Sequence, residues 1–537
     1  MGVSNQGNLM KKNEFTNPVF IIGLLLAAGL SIWGIVGNES FTEVAGAMFT
    51  FLTTDFGWLY LLVMLTFVFF AIALAVSKYG KIKLGPDDSK PEYSTMSWFA
   101  MLFGCGMGVG LVFWGIAEPI SHYVGPMAGI EPSSAASAQF AMSASFMHWG
   151  LHPWAGYVVV GLALAYLQFR KGKPALISSA LEPLIGEKNA KGVLGKIVDI
   201  LAIFATVAGV VTSLGLGVLQ INAGASYLFG IPVNLTVQII IIAIISVIYI
   251  GSSVVGIEKG IKVIGDLNLW IAIGVLLVCF LVGPKVDTLN NLVGGLGDYF
   301  GTFFQSSLGI SAYGDNGWML GWRIFYWAWW IAWAPFVGVF IARISKGRTI
   351  REFVAGVLLV PAAASILWFA VMGTMGLTLA QNGALTPDQV AGIAASPETG
   401  LFLVLSKYPL GMIISAVVLL LICTFFITSA NSGTFVLGML SSEGNLNPSN
   451  VKKILWGVIQ SVLAVALLMA GGLKPLQTIS IAAAFLFIFI MIAMMFSVIK
   501  ALKADKETPN VGDPDFVPDP EMAAMLGEAE PTTANGE

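Results

Sequence analysis

The sequence predicts an all-α membrane protein of twelve transmembrane helices, and three observations carry the prediction. Of 537 residues, 57% are hydrophobic and only 11% charged, whereas a soluble domain has about 25% charged residues. Apolar runs of span length recur along the whole chain. Lysines and arginines crowd alternate loops, which supports an even number of crossings. A β-barrel is excluded, because barrel strands alternate apolar and polar residues over about ten positions. A net charge of −3 without a basic patch leaves nucleic acid out as a partner.

The candidate spans run roughly 18–37, 57–78, 97–123, 138–168, 197–222, 233–253, 262–283, 318–342, 353–378, 409–434, 453–472 and 476–500. Cys105, Cys279 and Cys423 all fall in apolar segments, so no disulfide framework is expected. Lys11 and Lys12 precede the first span; Lys78 to Lys90, Arg170 to Lys196, Lys259 and Lys262, Arg343 to Arg351, Lys452 and Lys453, and Lys500 to Lys506 follow the even-numbered ones. The intervening loops carry only Lys285, Lys407 and Lys474, so the bias toward cytoplasmic positive charge puts both termini in the cytoplasm. Between the seventh and eighth spans, Asp287 to Ser307 is apolar enough for an interfacial helix but too short and polar to cross.

The third span contains "FGCGMGVGLVFWGIAEP", with glycines at 104, 106, 108 and 110. Each weakens a helix by up to about 1 kcal/mol relative to alanine, so the run points to an unwound stretch with bare backbone groups. The same spacing also satisfies close helix packing through small residues. Five spans later "WAPFVG" places Pro335 and Gly338 in the eighth span. Interruptions at matching positions of two halves are the sequence mark of a transporter built on inverted repeats. The chain then divides into an N-terminal cytoplasmic segment 1–17, two extra helices over 18–95, and a first repeat over 96–285. A linker helix over 286–317, a second repeat over 318–503, and an acidic tail over 504–537 complete it, the tail predicted to be disordered and cytoplasmic.

The eighth span packs four tryptophans and a tyrosine between Phe325 and Trp333. Trp329, Trp330 and Trp333 share one helical face, Trp327 points elsewhere, and Tyr326 lies under Trp330. The fourth span adds "HWGLHPWAGY", with Trp154 and Tyr157 one turn apart and Trp149 a turn earlier across Pro153. Interfacial aromatic belts sit at span ends, whereas these groups sit mid-span. Two mid-membrane aromatic groups fit a cage for a quaternary ammonium ion, which offers no hydrogen bond and is held by cation–π attraction of about 0.5–2 kcal/mol per face. A zwitterion would leave its carboxylate for backbone N–H groups near Gly106, Gly108 and Gly110.

With these residues in view, "GMGVGLVFWGIAEP", "HWGLHPWAGY", "ATVAGVVTSLGLGVLQI", "FYWAWWIAWAPFVGVFIARISKGRTIREF" and "FFITSANS" resemble the betaine/choline/carnitine transporter family over residues 15–503. The resemblance implies a carrier rather than an enzyme. Its fold would be the five-plus-five inverted-repeat fold of the neurotransmitter:sodium symporters behind two added helices, usually assembled as a homotrimer in the bacterial inner membrane. It implies a cage of Trp149, Trp154, Tyr157, Trp329, Trp330 and Trp333, with Phe340 lining the cytoplasmic path. It also implies sodium as the coupling ion and no cofactor, with one sodium site on carbonyls of Gly104, Met107 and Phe425 and the hydroxyls of Thr428 and Ser429. From the residues alone, Thr428 and Ser429 read as hydroxyls bonded back to their own helix. A second site in some members uses a threonine that is Val210 here; Phe336 is present and Thr206, Thr212 and Ser213 are nearby, so that site is absent or built differently.

Choline-type members resemble the glycine stretch but carry aspartate where this chain has Gly110, which favours a zwitterion such as glycine betaine over choline. Dimethylsulfoniopropionate, carnitine, proline betaine and ectoine stay open as substrates, as does a proton-coupled choline carrier. A remote alternative is a membrane metalloenzyme on His148 and His152, which are spaced i, i+4 but lack a carboxylate in the motif. Glu118 before Pro119 reads as a capping or packing residue, and Asp199 as a partner of Lys196.

Overall fold

The structure is a computed structural model, described for residues 15–106, 108–255, 258–445 and 447–516. Met107 and the tail beyond Phe516 lie outside those residues, as do the sequence expectations placed on them. The regular elements among the described residues are all helices, and the one β-type pairing among them is an isolated antiparallel bridge between Lys83 and Thr349.

Helix α1 (Pro18–Val36) and the long α2 (Asn38–Val76) lead into α3 (Thr95–Gly106) and α4 (Val109–Val124). Then come α5 (Ala135–Trp149), α6 (Leu151–Ala165), α7 (Val193–Phe229), α8 (Leu235–Val255) and α9 (Glu258–Val282). The linker forms α10 (Lys285–Gly301) and α11 (Phe303–Leu308). The second half holds α12 (Ile324–Arg343), α13 (Ile350–Gln381), α14 (Pro387–Ala395) and α15 (Pro397–Leu405), followed by α16 (Gly411–Leu440), α17 (Asn450–Met469) and α18 (Leu473–Lys503). Among the described residues eleven segments are long and apolar enough to cross a membrane. The expected third span is missing from that count because it is cut into α3 and α4, of 12 and 16 residues.

That cut answers the glycine question: the chain leaves helical geometry at Gly108 (φ −126°, ψ −158°). The matching interruption expected at Pro335 does not occur, since α12 runs unbroken through it. Proline inside a membrane helix removes one N–H, here the partner of the Ile331 carbonyl, and surrounding helices can absorb that loss. The second break lies instead at Gly150, between α5 and α6. Gly150 admits no side chain, as a Cβ would lie 2.5 Å from the Phe146 carbonyl oxygen and 2.7 Å from the Tyr299 hydroxyl. That hydroxyl, from α10, accepts the N–H of Leu151 (3.0 Å), which the break leaves without a helical partner.

Two segments are the innermost. In Ala135–Arg170 and Met319–Arg343, 94% of the apolar window is buried, against 22% in Val263–Val282. Helix α12 packs on α6, α7 and α18, so the two aromatic-rich segments lie against each other at the centre. The loops after even-numbered spans meet on one face. Leu84 N–H bonds the Arg348 carbonyl (2.8 Å), Arg170 bridges Asp87 and Asp505, and Asn17 donates to Glu443 (3.1 Å). The basic residues of the connections after the second, fourth, eighth and twelfth spans, spread over the sequence, thus come together.

Two local expectations change, and one connection between spans proves helical. Asp199 accepts the backbone N–H and hydroxyl of Ser178 (2.9 and 2.7 Å), capping a one-turn helix rather than pairing with Lys196. The stretch after α13 is helical in α14 and α15, and a reciprocal cap between Thr386 and Gln389 starts α14. The first part of the tail is docked, not loose. Val511 N–H bonds the Arg170 carbonyl (2.9 Å), Lys171 binds Thr508 and Asn510, and the Phe516 ring covers Gly172.

Candidate functional site

The break at Gly150 sets the geometry of the aromatic site. It frees the His148 carbonyl, which accepts the indole N–H of Trp330 at 2.9 Å. Trp330 is thereby pinned across the helix boundary, stacked on Trp329 (centroids 4.8 Å, 15°) and edge-on to Trp149 (4.8 Å, 76°). Trp149 also meets Trp329 at 6.2 Å and Phe369 of α13 at 5.3 Å. Tyr326 lies beneath Trp330 as the helical spacing required (6.0 Å, 29°). Trp327 turns away and stacks on His152 (4.8 Å, 16°).

Of the six expected cage rings, Trp149, Trp329 and Trp330 form one contacting group. Trp154 and Tyr157 form a separate edge-to-face pair at 5.3 Å. Trp333 is fixed on α7 instead, donating to the Gly209 carbonyl at 2.7 Å and meeting Phe336 at 5.3 Å. All six are buried. Because Trp149 and Trp330 already touch, admitting a trimethylammonium group between them requires the rings to part. Phe340 is half-buried near the end of α12.

The helix cut brings its glycines to this group. Gly110 sits where a Cβ would lie 2.5 Å from Trp329 Cη2 and 3.4 Å from Trp149 Cη2. An aspartate there would have to displace Trp329. Gly108 faces α16, with Ser429 Oγ 3.6 Å from where its Cβ would sit. Thr428 is bonded to its own helix, at the Thr424 and Phe425 carbonyls (both 3.1 Å). Thr206 and Ser213 likewise bond the Ala202 and Gly209 carbonyls of α7, and Val210 packs against Gly433.

Behind the rings lies a buried polar cluster whose extent sequence reasoning missed. Glu118 Oε1 receives His148 Nδ1 (2.6 Å) and His122 Nε2 (3.3 Å). Its Oε2 accepts the Trp149 indole N–H (2.9 Å) and the Tyr326 hydroxyl. Arg323 Nε donates to His148 Nε2 (2.9 Å), and Trp318 Nε1 to His122 Nδ1 (3.2 Å). The available signal was the charge itself, since an ionisable residue within a span costs several kcal/mol and marks function by default.

Glu118, His122 and His148 place three donor atoms within 4.8 Å of one another. Arginine and indole N–H groups only donate, so His148 Nε2 and His122 Nδ1 must be the bare nitrogens. The nitrogens facing Glu118 therefore carry protons and offer no lone pair to a metal. Binding one would flip both tautomers and set N–H against N–H at Arg323 and Trp318. The His148–His152 pair of the remote metalloenzyme alternative is engaged elsewhere: both His148 nitrogens face Glu118 and Arg323, and His152 Nε2 faces Ser307 (3.0 Å).

Helix count, a cut helix at the centre and a buried ring cluster fed from two segments are the layout of a multi-spanning transporter. The chain belongs to the BCCT, betaine/carnitine/choline family of transporters, whose family model matches residues 18–507. It is similar to a probable glycine betaine transporter of Desulfitobacterium hafniense (45% identity, covering 91% of this chain and 98% of that one). It is 46% identical to the glycine betaine transporter OpuD of Bacillus subtilis (91% and 95% covered), and 43% identical to an ectoine/hydroxyectoine transporter of Virgibacillus pantothenticus (93% and 99%).

Proposed function

We propose that the chain takes up a betaine-type zwitterion, glycine betaine first, by sodium-coupled alternating access across the bacterial inner membrane. The contact of Trp149, Trp329 and Trp330 beside a cut helix carries this reading. Each ring face contributes about 0.5–2 kcal/mol to an onium group, and none of these contacts needs a carboxylate in the cage. Trp329 Nε1 is a buried donor without a partner among the described residues, and Gly108 and Gly110 bring backbone beside it, so a substrate carboxylate finds donors. Gly110 favours a zwitterion over choline for the same reason: it leaves no room for an acidic side chain. Names of relatives alone do not choose among osmolytes, since one is an ectoine transporter.

Sodium would lie among the carbonyls of Gly104, Met107 and Phe425 and the hydroxyls of Thr428 and Ser429, for which the approach of Ser429 to Gly108 is the supporting contact. One sodium ion at about 100 mV and a tenfold gradient supplies roughly 3.7 kcal/mol. The shared basic face would be cytoplasmic, carrying both termini, and the assembly a homotrimer. Uptake of labelled glycine betaine and choline into proteoliposomes, with and without a sodium gradient, tests the reading. Betaine uptake driven by sodium is expected; preference for choline, or betaine uptake indifferent to sodium, would overturn it.

A further inference from the structure

The Glu118 cluster sits behind the cage and is not accounted for by substrate contact. Its protons can be placed by elimination. Arg323 and Trp318 are obligate donors, which makes both histidines acceptors on their outer nitrogens and donors toward Glu118. Both rings are then neutral. Glu118 is left with four donors, two on each oxygen: His122 and His148, then Trp149 and Tyr326. With the Tyr326 hydroxyl donating, all four groups around the carboxyl are donors, and the group is an anion with every acceptor position filled. The charges in the cluster are Glu118 and Arg323, joined through one imidazole and both buried. Arg323 is held in turn by the Ser306 carbonyl and by the faces of Trp318 and Trp327 (5.2 and 5.6 Å).

We propose that Glu118 is a positioning residue for the cage, an inference that rests on the cage reading above. Its carboxylate, balanced by Arg323 through the neutral His148 ring, takes the N–H of Trp149 and so fixes the indole that stands edge-on to Trp330. The same oxygen holds Tyr326 beneath Trp330. A carboxylate on the N–H edge also pushes electron density toward the Trp149 ring face, where a cation would be attracted. His148 serves both groups, as its side chain reaches Glu118 while its carbonyl holds Trp330. One anion thus orders both rings without touching the substrate.

The test is a set of binding measurements with glycine betaine on purified protein, read by tryptophan fluorescence, beside initial rates of uptake. Glu118→Gln keeps the shape but turns an amide N–H₂ toward donors. The dissociation constant and KM are expected to rise at least about tenfold, as for a lost hydrogen bond to a charged group, with Vmax per folded protein reduced far less. Glu118→Asp, retaining the anion, should recover part of the affinity. Trp149→Phe removes the N–H together with the pyrrole half of the ring; it should weaken binding about fivefold or more in the parent and by a clearly smaller factor in Glu118→Gln, where the bond to the carboxylate is already lost. Should Glu118→Gln fail to fold, Glu118→Asp, whose shorter arm draws the carboxylate away from the Trp149 N–H, takes its place in the comparison with Trp149→Phe. Unchanged affinity in Trp149→Phe, or full additivity of the pair, overturns the proposal. Trp330→Ala separates the two readings. If it abolishes binding while Glu118→Gln and Trp149→Phe do not weaken it, the cage stands and the positioning role falls. If Trp330→Ala binds normally, the cage itself has failed and the positioning role falls with it.

Discussion

Adding one methyl group at Gly110 should damage the site without touching any ring chemically. The Cβ of alanine would stand 2.5 Å from Trp329 Cη2, 3.2 Å from Cζ2 and 3.4 Å from Trp149 Cη2. Relief to ordinary contact needs the Trp329 ring to retreat by about 1 Å, since carbon atoms settle at about 3.5–4.0 Å. Trp329 cannot swing freely, being sandwiched between Phe325 (5.6 Å, 13°) and Trp330 (4.8 Å, 15°) with 1% of its surface exposed. Overpacking of this kind costs about 1–3 kcal/mol. Here it is met by moving a ring of the proposed cage, so on that proposal Gly110→Ala should weaken glycine betaine binding by about tenfold or more. Gly274→Ala is the control, as nothing lies within 4 Å of its added Cβ and alanine favours the helix. The assay is equilibrium binding by tryptophan fluorescence on protein checked for folding by size-exclusion chromatography. A folded Gly110→Ala protein with unaltered affinity would refute the placement of Gly110 against the cage.

Trp330→Ala removes a ring face worth about 0.5–2 kcal/mol and strips the His148 carbonyl of its donor, so affinity should fall at least tenfold while the protein still inserts. Binding titration checks it. Tyr299→Phe leaves the Leu151 N–H at the helix break unpaired, an expected cost of about 1–3 kcal/mol seen as a lower melting temperature; an unchanged melt contradicts the role given to α10. The tail clasp should be acid-labile. Burial by itself would raise the Asp505 carboxyl, but hydrogen bonds from Arg170 and Tyr166 and the charges of Arg170 and Lys171 outweigh it and hold it below the usual value. A depressed carboxylate contributes fully above its ordinary range and loses that contribution as pH falls through the folded value. Hydrogen exchange over 504–516 should therefore accelerate beyond the intrinsic change once the pH falls below the ordinary carboxylate range. Asp505→Asn should reproduce this at neutral pH, since breaking a buried ion pair costs about 3–5 kcal/mol.

Hydropathy and loop charge made the spans legible, because lipid demands about 20 apolar residues per crossing. The glycine run located the cut in the third span. Pro335 misled, since a proline removes one N–H without obliging a buried helix to stop. The operative break at Gly150 carried a weaker signal, a lone glycine three residues before Pro153, and its stabilising partner Tyr299 is distant in sequence. Helical spacing grouped Trp329 and Trp330 correctly and set Trp327 aside, yet it could not foresee that the Gly209 carbonyl would draw Trp333 toward α7. The Glu118 cluster was hidden for the same reason. Its members come from α4, α5, α12 and the helical segment that runs straight into α12, and only the packed fold brings their protons into one network.

A structure of the protein with bound glycine betaine tests the central claim most directly. The onium nitrogen should lie within about 6 Å of the Trp149 and Trp330 ring centres, with those rings drawn apart from their present 4.8 Å. Density for the substrate in the polar cavity of about 500 Å³ lined by Asp287, Asn291 and Gln381, with the rings still in contact, would contradict it.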